Sequence, residues 1–129
     1  MTPPAGRFDD RANWMYQFSY AEVQQDDVAE SRVRERQVLD RSIALLERAK
    51  TSGAGSRDAI EAIYFTNRVW MRLVEDLSSA ENELEPSLKA NLISVGFWVL
   101  RESERIRKGE SDNFDGLIDI SSIIRDGLQ

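Results

Sequence analysis

The chain of 129 residues is long enough for one domain with one hydrophobic core. Its composition, 41% hydrophobic and 31% charged, is that of a folded protein and not of a disordered one. The formal net charge of −6 makes nucleic acid and anionic lipid poor partners, because both are negatively charged themselves. The chain has no cysteine and no histidine, which excludes disulfides, thiolate catalysis and the commonest general base and metal ligand.

The first predicted element is a polar segment over residues 1–14, which contains Pro3 and Pro4 and shows no helical periodicity. It predicts a flexible amino-terminal extension, residues 1–14, ahead of a single domain at residues 15–129. The extension has no apolar stretch of signal-peptide length. No stretch of the chain reaches the roughly 20 apolar residues of a membrane helix, so the expected location is the cytoplasm.

Three aromatic residues follow this extension and alternate with polar ones: Tyr16, Phe18 and Tyr20. Such alternation is compatible with an extended segment or with the beginning of a helix. The three aromatics either cover one end of the core or form a surface for a partner. We predict that they contribute to partner binding, since rigid and partly exposed aromatic side chains are efficient binding anchors.

A helical pattern is clear over residues 30–50, where Leu39, Ile43 and Leu46 recur with the spacing of one helical face. The segment over residues 51–55 contains two glycines and ends this helix. The apolar face predicts that the helix packs one side against a core.

The same segment carries the one basic cluster of the chain. Its members are the weak candidates for RNA contacts: Arg32, Arg34, Arg36 and Arg41. Acidic residues interleave with these arginines, and the pairs Glu30–Arg34 and Arg36–Asp40 have the i, i+4 spacing of helical ion pairs. A solvated, salt-bridged face is therefore favoured over an RNA-binding stripe.

Ser56 is a suitable N-cap for a second helix, predicted over residues 57–78. Apolar residues in this helix repeat every seven positions and define a heptad seam with one polar member. The seam consists of Ile60, Ile63, Asn67, Trp70, Val74 and Leu77. Asn67 either pairs with a backbone carbonyl inside the bundle or fixes the register or the number of packed chains. Trp70 is predicted to be a core residue.

Pro86 begins a third helix, predicted to end near Lys108, because a proline is well tolerated at the first helical position. Between Leu92 and Leu100 this helix is apolar nearly all round. Such a pattern predicts a central, buried helix with Trp98 in the core.

A short fourth helix follows a turn at residues 109–113, with Leu117, Ile120 and Ile124 on one side and Gly127 near its end. No segment requires a strand. The fold class predicted is all-α, a compact bundle of about four helices with short loops.

No catalytic constellation stands out among these elements. There is no phosphate-binding glycine loop, and the three lysines lie in charged surroundings where an ammonium group cannot act as a base. Asp112, Asp115 and Asp119 lack the twelve-residue register of a calcium loop and its closing glutamate. We therefore expect no enzyme activity, no cofactor and no metal site.

Three stretches carry a more specific signal. They are residues 15–23 (MYQFSYAEV), residues 91–102 (NLISVGFWVLRE) and the pair 111–118 with 123–128 (SDNFDGLI and IIRDGL). In this order and spacing they resemble the FlaF family of bacterial flagellar biosynthesis regulators, and the resemblance spans residues 15–129.

The resemblance implies a non-enzymatic regulator that promotes flagellin synthesis or export and acts opposite the small repressor FlbT. It implies a protein partner, either flagellin bound in a chaperone-like manner or a regulator such as FlbT. Two alternatives stay open. One is an RNA-binding regulator of the flagellin message that uses the arginine cluster, and the other is an oligomeric scaffold with the Asn67 seam as its dimer face.

Overall fold

The computed structural model describes the backbone of residues 10–128 and the side chains of residues 29–128. Over this part of the chain the backbone forms four α-helices and no strand. They are α1 (Asp10–Ser52), α2 (Arg57–Ser78), α3 (Pro86–Arg107) and α4 (Phe114–Gly127). The predicted all-α bundle of about four helices is confirmed.

The chain divides into two compact units, residues 1–35 and residues 36–129, and α1 contributes residues to both. In the first unit α1 begins at Asp10, so the segment with the alternating aromatics is helical and not extended. Residues 1–9 lie outside the described residues, and residues 10–14 of the predicted extension belong to α1.

The second unit contains one hydrophobic core to which all four helices contribute. Its buried apolar members are Leu39, Leu45, Leu46, Ala49, Ala59, Ala62, Ile63, Val69, Trp70, Val99, Ile106, Phe114 and Leu117. Several of them are small, and fully buried Ser42 and Thr66 lie among them, where they share a hydrogen bond of 2.9 Å between α1 and α2. Small side chains at a helix contact let the two backbones approach closely.

The start of α2 follows from local chemistry. Gly53 has φ +101°, a left-handed conformation that suits the residue after a helix end. Ser56 then caps α2, because its Oγ accepts a hydrogen bond of 3.1 Å from the backbone N–H of Ala59. The bounds predicted for this helix, residues 57–78, are those observed.

The buried side of α2 is offset from the predicted heptad seam. Ala59, Ala62, Ile63, Thr66, Val69 and Trp70 are the buried residues of the helix. Trp70 is therefore in the core as predicted and Ile63 is buried beside it, whereas Ile60 of the seam is 69% exposed.

The helix α3 packs against α2, and Pro86 occupies its first turn as predicted. Glu85 caps it by accepting hydrogen bonds from the backbone N–H groups of Ser87 (3.1 Å) and Leu88 (3.2 Å). A hydrogen bond from the Ser87 hydroxyl, followed by these two from the backbone, lowers the pKa of the Glu85 carboxyl. A buried α3 apolar all round was the wrong expectation, since only one side of the helix is buried.

A polar network fixes the turn between α3 and α4. The buried carboxylate of Glu102 accepts two hydrogen bonds, one of 2.9 Å from Arg105 Nη1 and one of 2.7 Å from Ser111 Oγ. The Ser111 hydroxyl in turn accepts a hydrogen bond from the backbone N–H of Asn113. Asn113 caps α4, because its Oδ1 accepts a hydrogen bond of 3.0 Å from the backbone N–H of Gly116. The hydrogen bond from Ser111 lowers the pKa of Glu102 most, and the hydrogen bond and charge of Arg105 lower it further. The pKa therefore lies below its usual value although the carboxylate is buried.

Candidate partner-binding surfaces

The predicted aromatic anchors lie in the first part of α1. The backbone of Tyr16, Phe18 and Tyr20 is helical, but their side chains lie outside the described residues. Their role in partner binding accordingly stays a prediction.

The arginine cluster is exposed throughout, but its members have different surroundings. Arg34 lies 3.8 Å from Glu30, which is the ion pair predicted from their spacing. Arg41 stacks over the ring of Phe65, with its guanidinium 5.6 Å from the ring centre. The second predicted pair, Arg36 with Asp40, is not formed, because the Asp40 carboxylate binds Arg125 of α4 at 3.0 Å.

Asn67 is half-buried in α2, and its Oδ1 has no hydrogen-bond partner among the described residues. The indole Nε1 of Trp70, three residues further on, is likewise buried without a partner in that part of the chain. Trp70 itself is 2% exposed, which confirms its predicted place in the core. The role of Asn67 in register or oligomer number stays a prediction.

A row of exposed apolar side chains runs along α2 on the side away from the core. Ile60, Tyr64 and Met71 are 69%, 64% and 52% exposed, and their spacing of four and seven residues places them on one side of the helix. This row was not predicted as a surface, and its member Ile60 was assigned to the heptad seam. The signal was present in the sequence, because α2 carries more large apolar residues than one buried side can hold.

On α3 two aromatic residues are exposed as well. Phe97 is 52% exposed and Trp98 37%, so the prediction of Trp98 as a core residue was wrong. The buried side of α3, formed by Gly96, Val99, Glu102, Ser103 and Ile106, faces the opposite direction. The aromatic pair therefore occupies the outer side of this helix.

Phe97 is next in sequence to a residue at the contact between α2 and α3. A Cβ atom at Gly96 would overlap Val74 Cγ2 and lie 3.7 Å from Trp70 Cε3, so Gly96 sits at the contact between α2 and α3. The two helices are antiparallel neighbours, and each turns its buried side toward the common core. Phe97 follows Gly96 and Met71 follows Trp70 in the sequence, and both side chains are exposed.

We call this surface the outer face and define it by Ile60, Tyr64, Met71 and Phe97. Arg68 lies along this face and donates a hydrogen bond of 3.4 Å to the Tyr64 hydroxyl. Its guanidinium lies 5.7 Å from the centre of the Tyr64 ring. The arrangement offers an exposed apolar area, which is a feature of binding surfaces.

Two other site types are absent from the residues that the structure describes. No helix there has the length and apolar character needed to cross a bilayer. No three acidic side chains come together as a metal site in the same part of the chain, and Asp115 binds Lys50 at 2.7 Å.

The sequence was compared with protein families, curated proteins and solved structures. The sequence model of one family, described as flagellar protein FlaF, matches residues 16–128. Neither a curated protein nor a solved structure matches the chain. The family match extends over far more than half of the 129 residues and agrees with the resemblance carried by the three sequence stretches. The chain belongs to the FlaF family of flagellar proteins.

Proposed function

We propose that this protein is a non-enzymatic regulator of flagellum biogenesis, and that it promotes the synthesis or export of flagellin by binding a protein partner in the cytoplasm. The partner is flagellin itself, held in a chaperone-like manner, or a regulator such as FlbT. The observation that carries the proposal is the match of the FlaF family to residues 16–128.

Two further features support action by binding and not by catalysis. The sequence has no histidine or cysteine, so the most frequent general base and the strongest nucleophile among side chains are missing. The exposed large side chains of α2 and α3 form an apolar surface, which is what a partner-binding protein requires.

The direct test is a binding measurement with the full chain. Purified protein is titrated by calorimetry with monomeric flagellin and, separately, with FlbT from the same cells. We expect saturable binding to at least one of them, and restoration of flagellin secretion when the gene is returned to a deletion strain. Failure to bind either protein would contradict the proposal.

A second measurement assigns the predicted aromatic anchors. Alanine variants of Tyr16, Phe18 and Tyr20 are compared for thermal midpoint and for affinity toward the partner found above. Loss of an anchor should weaken binding by about 30-fold with little change in the midpoint. If the midpoint falls sharply while the affinity per folded molecule is unchanged, these residues stabilise the fold and do not bind the partner.

The RNA-binding alternative predicts a different result. Affinity for the leader of the flagellin message would fall steeply with rising salt, because arginine contacts to phosphate release counterions. Arg32, Arg36 and Arg41 have no carboxylate within 4.0 Å among the described residues, and Arg41 is engaged with the Phe65 ring. Arg32 and Arg36 are therefore the two residues to replace. Their replacement by glutamine would abolish such binding and leave protein partners unaffected.

A further inference from the structure

The middle of α1 has no covering neighbour in the described part of the chain. From Ala29 to Val38 every side chain is exposed or half-buried, and Leu39 is the first buried residue that the structure describes in this helix. Val33, within this stretch, is 50% exposed. A helix gains most of its stability by packing one side against a neighbour, so an uncovered stretch of nearly three turns is one that a second molecule can stabilise.

Contacts within the helix do not replace this missing neighbour. The stretch contains an ion pair of 3.8 Å between Glu30 and Arg34 and a hydrogen bond of 3.4 Å from Ser31 to Glu35. Both join side chains one turn apart, and such pairs contribute little to the stability of a helix.

Charge is divided along α1 about residue 31. Residues 12–31 contain no lysine or arginine, and their acidic members are Glu22, Asp26, Asp27 and Glu30. Residues 32–41 contain four arginines and two carboxylates, which are Arg32, Arg34, Arg36, Arg41, Glu35 and Asp40. The part of the helix before residue 31 is therefore acidic, and the part that follows is basic.

Such a charge pattern is complementary to its own reverse. Two copies of α1 that run antiparallel, related by a two-fold axis at residue 31, set the acidic part of each copy against the basic part of the other. A parallel pair would set acidic against acidic and basic against basic. The charge pattern thus favours a second copy of the chain in the antiparallel direction, and the two-fold axis makes every favourable contact occur twice.

The register about residue 31 also brings small apolar residues together. Ala29 comes opposite Val33 of the second copy, and both are exposed in the single chain. Asp26 comes opposite Arg36, which is exposed as well. These four residues follow one another at spacings of three, four and three positions, so they share one side of the helix. We call this side the α1 face.

The same register has one unfavourable opposition on this side, because Glu22 comes opposite Asp40. The Asp40 carboxylate is already paired at 3.0 Å with Arg125 of its own chain, which offsets its charge. Asp27 and Glu35 also fall at opposed positions, but helical spacing places both of them on the other side of α1.

We propose that the protein forms an antiparallel homodimer through the α1 face, in which the acidic part of α1 in each copy contacts the basic part in the other. This face is distinct from the Asn67 seam, since Asn67 lies on α2. The inference does not depend on the proposed function, because it concerns a second copy of the same chain.

The test is sedimentation equilibrium of the full chain over a range of concentrations. We expect a monomer–dimer equilibrium in which the dimer weakens as salt is raised from about 0.05 to 0.5 M, because salt screens exposed charges. A chain that stays monomeric up to about 0.1 mM at low salt would overturn the proposal.

A charge reversal locates the interface. Arg36→Glu should weaken the dimer by about tenfold or more, because it sets a glutamate opposite Asp26. Arg57→Glu is the matched control, since it makes the same change of net charge at an exposed position on α2, and it should leave the dimer unchanged. Equal effects of the two substitutions would overturn the proposal. Circular dichroism of each variant verifies that it is folded.

A second reversal tests the antiparallel direction. Asp26→Arg alone should weaken the dimer, because an arginine then comes opposite Arg36. Combining Asp26→Arg with Arg36→Glu should restore the dimer, since the opposed charges are only exchanged. In a parallel pair residue 26 would meet its own copy, and Asp26→Arg would replace one like-charge contact by another. A double variant that associates no better than the single ones would overturn the proposal.

The apolar centre of the face is tested separately. Val33→Glu should weaken the dimer by about 30-fold, because it places a charge against Ala29 of the second copy. Ile123→Glu is its control, since Ile123 is 64% exposed on α4. If the chain is monomeric and binds flagellin or FlbT through a surface that Val33→Glu disrupts, the occupant of the α1 face is that protein and the homodimer is wrong.

Discussion

α3 contacts its surroundings in two chemically different ways. Toward α2 it presents Gly96, and the absence of a side chain there lets Trp70 and Val74 pack directly against the helix backbone. At its carboxyl end it presents the buried carboxylate of Glu102, which holds the next turn through Ser111 and Arg105. The first contact depends on shape alone, whereas the second depends on a charge and therefore on pH.

The largest expected effect is on the apolar contact. Trp70→Ala should lower the free energy of unfolding by about 3–5 kcal/mol, because it leaves a cavity between α2 and α3. Urea unfolding followed by circular dichroism measures this loss. Trp98→Ala is the comparison, and it should cost less than Trp70→Ala, because Trp98 is 37% exposed and Trp70 only 2%. Equal losses for the two variants would show that both indoles are core residues.

A smaller effect is expected at the polar contact. Glu102→Gln at pH 7 should cost about 1–3 kcal/mol, since the amide cannot accept both charged and hydroxyl hydrogen bonds as the carboxylate does. The hydrogen bond from Ser111 and the charge of Arg105 lower the folded-state pKa of Glu102. Its contribution is thus present above the unfolded pKa and is lost as the pH falls through the lower folded one.

Thermal unfolding between neutral pH and about pH 2 tests this sign, because an unperturbed glutamate titrates near pH 4.3. The difference in midpoint between the wild-type chain and Glu102→Gln should shrink on the acid side of that window. Trp70→Ala serves as the control, because its lowering of the thermal midpoint does not depend on the ionisation of Glu102. If the difference in midpoint between Glu102→Gln and the wild-type chain stays constant with pH, the carboxylate is not held in its charged form.

The smallest effect is expected at Gly96. In Gly96→Ala the new methyl group overlaps Val74 Cγ2, and overpacking of this kind costs about 1–3 kcal/mol. Alanine stabilises a helix by about 1 kcal/mol relative to glycine, so the net loss in the free energy of unfolding should be about 1 kcal/mol. Adding Val74→Ala removes the overlapping methyl, and the double variant should be more stable than the sum of the single losses predicts. Additive losses would argue that the two residues are not in contact.

Local signals were sufficient for the boundaries of α2. Ser56 as a cap and the glycines before it act within one turn of the helix, so residues 57–78 were predicted without knowledge of any packing. The polar network at Glu102 was not predicted, because Ser111 reaches it only once α3 has ended and the turn has formed.

The side of α2 that faces the core could not be predicted from hydrophobicity. The inner side carries the small residues Ala59, Ala62 and Thr66, whose apolar signal is weak, while the large Ile60 and Tyr64 lie outside. A seven-residue seam assumes 3.5 residues per turn and drifts by about 20° per heptad from a straight helix. Trp98 was misassigned for a related reason, since a helix apolar all round does not indicate which side meets a neighbour.

The buried hydrogen bond between Ser42 and Thr66 limits how α1 and α2 can be aligned. Sliding one helix along the other by a turn, about 5.4 Å, would separate the two hydroxyls and leave each in an apolar surrounding without a partner. Alternative alignments are thereby raised in energy even where their apolar packing is adequate. A chain with alanine at position 42 and valine at position 66 would keep a hydrophobic core but lose this discrimination between neighbouring alignments.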